Sequence, residues 1–121
     1  MVRRPLVYRT VVGRSPYVEY LDGLRDRVGV AKIRTRANRA KLGNLGDHKS
    51  VGHGVIELRI DHGPGYRLYV GLHGQELIVL LCAGDKASQF KDILKAIAYW
   101  EDFLDSGGEH ENLSEPRRLP S

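Results

Sequence analysis

The chain has 121 residues, 41% hydrophobic and 28% charged, which suits one folded domain and excludes both a disordered polyelectrolyte and a second sizeable domain. Its longest apolar run, Leu77 to Ala83, falls far short of the roughly 20 residues that a bilayer span needs, and a single cysteine, Cys82, excludes an internal disulfide or a multi-cysteine zinc module. Residues 1–100 hold 17 Lys and Arg against 9 Asp and Glu, whereas residues 101–121 hold 2 against 6, so a basic body suited to a polyanion such as nucleic acid precedes an acidic tail.

In chain order, Leu6 to Val12 is rich in β-branched and aromatic residues and reads as a first strand. Ser15-Pro16 supplies a helix cap with proline at the first helical position. Tyr17, Tyr20, Leu21, Leu24 and Val28 then form one helical stripe. Gly29 reads as an interruption, and a second helix is expected from Val30 to Leu42, with Val30, Ile33, Ala37 and Ala40 inward and Gly43 as its C-cap. The opposite face of that helix carries Lys32, Arg36 and Arg39, a basic stripe able to track phosphates. Residues 43–47 read as a turn-rich loop.

Three antiparallel strands are expected next. Val55 to Asp61 alternates, with Ile56, Leu58 and Ile60 on one face and Val55, Glu57 and Arg59 on the other. After the turn His62-Gly63-Pro64-Gly65, Tyr66 to Leu72 places Arg67 and Tyr69 opposite an apolar face. Leu77 to Cys82 is apolar on both faces, as a strand covered on both sides should be. A last helix starts near Ser88, carries Phe90, Ile93, Leu94, Ile97, Trp100 and Leu104 at helical spacing, and ends at Gly107-Gly108. The fold class is therefore α+β: a small antiparallel sheet, made of the first strand and a three-stranded meander, with two N-terminal helices and one C-terminal helix. Residues 1–105 form the expected domain, and 106–121 a flexible acidic tail. No signal-peptide pattern precedes the first strand, so a cytoplasmic protein is expected.

Matching apolar faces in the hairpin sets Ile60 opposite Tyr66, Leu58 opposite Leu68 and Ile56 opposite Val70. That register brings Arg59 opposite Arg67 and Glu57 opposite Tyr69. Two arginines facing each other across a strand pair repel unless something anionic lies between them. Glu57 would supply that charge in a plain surface network, and a phosphate would supply it through bidentate guanidinium contacts. His53, just ahead of this strand, has an unperturbed pKa near neutrality and is an alternative acid–base group. Lys86, past the central strand, falls within reach of the arginine face. The body histidines show no zinc-motif spacing, and no metal or other cofactor is expected.

The segments Gly43-Asn44-Leu45-Gly46-Asp47-His48-Lys49, Gly54 to Ile60, Gly63-Pro64-Gly65-Tyr66-Arg67-Leu68-Tyr69 and Gly84-Asp85-Lys86-Ala87-Ser88-Gln89 occur in order. Together they resemble the addiction-module killer branch of the RelE/ParE toxin superfamily, close to HigB-like toxins of type II toxin–antitoxin modules, over about residues 6–104. The resemblance implies a RelE-like fold and a ribosome-dependent mRNA endonuclease silenced by a cognate helix-turn-helix antitoxin. Its partners would be that antitoxin, the ribosome and mRNA. Arg67 resembles the family residue that stabilises charge on the scissile phosphate, and Lys86 falls where the family often places a second catalytic basic residue. RelE itself carries two lysines where this chain has Val55 and Glu57. The expected catalytic group is thus Arg67 and Arg59 on the phosphate, Lys86 as charge stabiliser or acid and Glu57 as base. Lys49, His53, Lys32, Arg36, Arg39 and Tyr69 are the expected RNA contacts. Relatives of the ParE type share the fold and poison DNA gyrase, which is one alternative. A toxin fold that only binds antitoxin or RNA is the other.

Overall fold

A computed structural model describes residues 2–106. The expected tail and the expected helix stop at Gly107-Gly108 lie outside the described residues. The element order is β1 (Arg4–Val7), α1 (Pro16–Gly23), α2 (Arg27–Lys41), β2 (His48–Gly52), β3 (Val55–Ile60), β4 (Tyr66–His73), β5 (Leu77–Gly84) and α3 (Gln89–Asp105). Among the described residues the architecture is α+β, with one five-stranded mixed sheet in the order β1-β5-β4-β3-β2 and three helices. Among the described residues, no helix is long and apolar enough to cross a membrane.

The sheet departs from the expected antiparallel one in two ways. β1 pairs with β5 in parallel, Leu6 against Val79. A further strand, β2, pairs antiparallel with β3, Lys49 against Glu57. The first strand also stops at Val7. Thr10 then accepts from Gly13 and donates to Arg14, a turn that leaves Val11 and Val12 77% exposed. The hairpin register agrees with the expectation at every pair: Ile56–Val70, Glu57–Tyr69, Leu58–Leu68, Arg59–Arg67 and Ile60–Tyr66.

Both faces of the sheet are covered. α1 and α2 set Tyr17, Leu21, Val30, Ile33, Ala37 and Ala40 against Leu58, Leu68, Val70 and Ile78. α3 sets Ala96, Trp100 and Phe103 against Val55, Tyr69, Val79 and Leu81 on the other side. β5, in the middle of both cores, is buried throughout, as its unbroken apolar run requires. Gly71 makes the second core possible, because a Cβ there would lie 2.4 Å from the Trp100 ring.

The helix caps follow from local chemistry. The Ser15 side chain accepts from the Val18 N–H at 3.2 Å, with Pro16 opening α1. Gly29 does not interrupt α2. It lies in the first turn, and its N–H donates to the Asp26 cap at 2.9 Å. At the other end Gly43 N–H bonds Ala40 and Asn44 N–H bonds Arg39, a reciprocal C-terminal closure. The expected α3 stripe is displaced: Asp92, Ala96, Trp100 and Phe103 are buried, whereas Phe90 (78% exposed), Leu94 and Leu104 face outward.

Candidate functional site

The polar residues of β3 and β4 share the sheet face that α3 covers, at the end where β3 finishes and β4 begins. Glu57 is the centre of this group and is 0% exposed. Its carboxylate accepts from the Gln89 amide at 2.7 Å, from the Tyr69 hydroxyl at 3.1 Å and from Arg59 Nε at 3.1 Å. Arg67 Nε lies 4.0 Å away, an ion pair without a hydrogen bond. Burial pushes the Glu57 carboxyl up, but the hydrogen bonds from Gln89, Arg59 and Tyr69 and the Arg59 charge outweigh it and hold the group below its ordinary range. Burial, and then the adjoining Glu57 charge, raise the Tyr69 phenol far above its ordinary value. Tyr69 therefore stays protonated and donates.

Arg67 is held from two sides. Its Nη1 donates to the Gly65 carbonyl at 2.7 Å, and only 12% of the side chain is exposed. Gly65 has φ +78°, and a Cβ there would sit 2.9 Å from Arg67 Nη1 and 3.5 Å from Lys86 Cβ. The Gly63-Pro64-Gly65 turn thus leaves room for both cationic residues. The Lys86 N–H, 3.4 Å from the Pro64 carbonyl, ties the segment after β5 to the same turn. Lys86 is exposed. Lys49, also exposed, stands opposite Glu57 on β2 and so projects to the same face. Two guanidinium groups, Arg59 and Arg67, therefore meet one buried carboxylate, with Lys49 paired opposite it on β2 and Lys86 beside the turn that holds Arg67.

That arrangement corrects several expectations. Glu57 does not lie on an exposed sheet face, and a carboxylate already accepting three hydrogen bonds with a depressed pKa is poorly suited to take a proton. It serves instead to hold the guanidinium groups in place. Tyr69 is 0% exposed and has no surface on which a base could stack. Arg36 does not belong to a solvated stripe. It is 8% exposed, its Nε donates to the Arg59 carbonyl at 3.1 Å, and its Nη2 donates to the carbonyls of Leu45 and Asp47. Burial lowers its pKa. Lys32 and Arg39 remain exposed on α2, which packs on the sheet face opposite the arginine side chains. His53 occupies the two-residue turn between β2 and β3, with φ +57° followed by Gly54 at +86°, the dihedral signs of a type I′ hairpin. It lies 3.9 Å from Glu101 of α3, at the opposite end of β3 from Arg59, about 20 Å along the strand at 3.3 Å per residue.

Gln89 is the residue that the sequence left without a role, though it closes the fourth motif. As the first residue of α3 it binds Glu57, so the helix joins the group by its end rather than by its apolar face. Among the described residues, no group of three or more His, Cys, Asp or Glu side chains could hold a metal ion.

No family model matches the chain. A protein of Haemophilus influenzae described as uncharacterized is 48% identical to it over 77 residues, covering 64% of this chain and 78% of the Haemophilus protein. The chain belongs to the same family as that protein. An identity this high over most of the relative's length means a shared fold for the two.

Proposed function

We propose that the chain is a RelE-like, HigB-type toxin of a type II toxin–antitoxin module, a metal-independent endoribonuclease that cuts mRNA on the ribosome. The observation that carries this reading is the facing pair Arg59 and Arg67, fixed by a buried carboxylate and a backbone carbonyl rather than left to move in solvent. The chemistry needs little more. The RNA 2′-hydroxyl attacks the adjacent phosphorus, the P–O5′ bond breaks, and the products are a 2′,3′-cyclic phosphate and a 5′-hydroxyl. Arg59 and Arg67 stabilise the extra negative charge on the phosphorane, and preorganised donors of this kind account for much of a rate enhancement. Lys86, exposed beside Arg67, donates a proton to the departing 5′-oxygen. Proton removal from the 2′-hydroxyl and its alignment for attack are left to the ribosomal context, since Glu57 is saturated and His53 is remote. In this reading the chain works in the cytoplasm and is held silent by its helix-turn-helix antitoxin.

The saturation of Glu57 also favours a second reading, in which the same cationic face only binds, as in a ParE-like gyrase poison or a non-cleaving toxin fold. Purified full-length chain, incubated with programmed ribosomes, separates the two. The expected result is mRNA cut to 2′,3′-cyclic phosphate and 5′-hydroxyl ends, with Arg67→Ala slower by on the order of 10²–10³ yet folded. Intact mRNA, together with gyrase-dependent DNA breakage, would overturn the nuclease.

A further inference from the structure

A groove of about 580 Å³ lies between α2 and the end of β3, within the size range of small-ligand sites. Its two walls differ in charge. The α2 wall carries Lys32 and Arg39 with the Thr35 hydroxyl between them, and Arg36 lines the groove below. The opposite wall carries Asp47, from the loop before β2, and Asp61, just past β3. Val28, Ala31 and Ile60 contribute apolar surface.

Arg36 is the buried cation of the groove. It is more than nine-tenths buried, and its three hydrogen bonds all go to neutral carbonyls. Among the described residues it forms no ion pair, and its Nη1 takes part in none of those bonds. The nearby Asp47 charge offsets part of the cost of burying this guanidinium, and a phosphate in the groove adds a second anion. Asn44 adds a donor: its Oδ1 accepts from the Gly46 N–H at 3.1 Å, which leaves its amide NH₂ available.

We infer that this groove binds one nucleotide of the RNA substrate, a guanosine, with its phosphate toward Lys32, Arg36 and Arg39 and its base toward Asp47 and Asp61. The inference rests on the proposed RNA-cleaving function and adds to it a base-reading subsite. A carboxylate accepts two parallel hydrogen bonds from the adjacent N1–H and N2–H groups of guanine. Uracil offers one N–H between two carbonyls, which a carboxylate repels. An acidic peptide satisfies the α2 wall but meets like charge at Asp47 and Asp61. The groove lies across the sheet from the arginine side chains and is joined to them through the backbone: Arg36 holds the Arg59 carbonyl, while the Arg59 side chain holds Glu57 on the α3 face.

The test uses the wild-type full chain and amide NMR titrations with guanosine monophosphate, uridine monophosphate and inorganic phosphate. Guanosine monophosphate is expected to shift the amides of Ala31, Thr35, Gly46 and Asp61 and to bind at least tenfold more tightly than uridine monophosphate or phosphate. Lys32→Glu with Arg39→Glu should weaken both nucleotides at least tenfold, and Asp61→Asn should bring the two nucleotides level. These positions are exposed, so the variants should keep the wild-type spectrum elsewhere. Shifts confined to other surfaces, equal binding of phosphate alone, displacement by an acidic peptide, or no binding would each overturn the inference. Because the ribosome takes no part, the two readings fail separately. Guanosine binding with uncut mRNA defeats the nuclease alone, and cut mRNA without guanosine binding defeats the subsite alone.

Discussion

Glu57→Gln is the perturbation that most directly probes the centre of the site, since it removes a charge while keeping the side-chain shape. In the wild type this 0% exposed carboxylate satisfies Gln89, Tyr69 and Arg59 and faces Arg67. Glutamine offers one acceptor oxygen, and its NH₂ group opposes the donors it meets. Removing one partner of a buried ion pair costs about 3–5 kcal/mol. The Arg59 side chain is 35% exposed, so solvent screens its share, and the expected loss is about 2–3 kcal/mol. With a urea m-value of about 1–3 kcal/mol per molar, the unfolding midpoint should fall by about 0.7–3 M. Trp100, the only tryptophan, packs in the core beneath α3 and reports the transition. The pH dependence has a definite sign. The folded pKa lies below the ordinary value of 4.5, so the carboxylate contributes its full stability above that value. The contribution is lost as pH falls through the folded pKa. The gap between wild type and Glu57→Gln should be constant from about pH 6 to 8 and close progressively below about pH 4.5. A gap under about 0.5 kcal/mol at neutrality, or one that persists unchanged in acid, would refute the anchoring role.

Arg36→Met takes the side-chain donor from the carbonyls of Leu45 and Arg59 and one of two donors from that of Asp47, and should cost about 3 kcal/mol. Lys32→Glu and Arg39→Glu, exposed on the same helix, should each stay within about 0.5 kcal/mol by thermal unfolding. Gly71→Ala forces a methyl against Trp100, with an expected cost of about 1–3 kcal/mol and a red shift of the tryptophan emission. Tyr69→Phe deletes one donor to Glu57 and should cost about 1 kcal/mol, and under the proposed toxin function growth arrest on expression should persist. Loss of arrest in a folded Tyr69→Phe protein would restore this residue as a direct RNA contact.

The hairpin was legible because its alternation is strict and only one register makes the apolar face continuous. α2 was legible for a similar reason, since Val30, Ile33, Ala37 and Ala40 have one way to face inward. β2 was not. Four of its five residues are exposed, so an edge strand built of His48, Lys49, Ser50, Val51 and Gly52 shows no alternation to find. The parallel pairing of β1 leaves no local trace either, because its partner, residues 77–80, lies far along the chain. The site was half legible. Alternation placed Glu57, Arg59, Arg67 and Tyr69 on one face, but their burial depends on a third layer, α3, and on Gln89 reaching across from it. Arg36 was misplaced because helical spacing gives a direction and says nothing of the loop that folds back over it.

The parallel pairing of β1 with β5 has a consequence for how the protein comes into being. Leu6 cannot find Val79 until nearly the whole domain has been synthesised, and the Trp100 side of the sheet stays bare until α3 follows. At about 5–20 residues per second, the first strand waits several seconds for its partner. Contacts this distant in sequence also form late in folding. Gln89, which completes the Glu57 group, comes from the last helix. A nascent chain should therefore remain incompetent until α3 has emerged, and any activity of the arginine pair would begin only then.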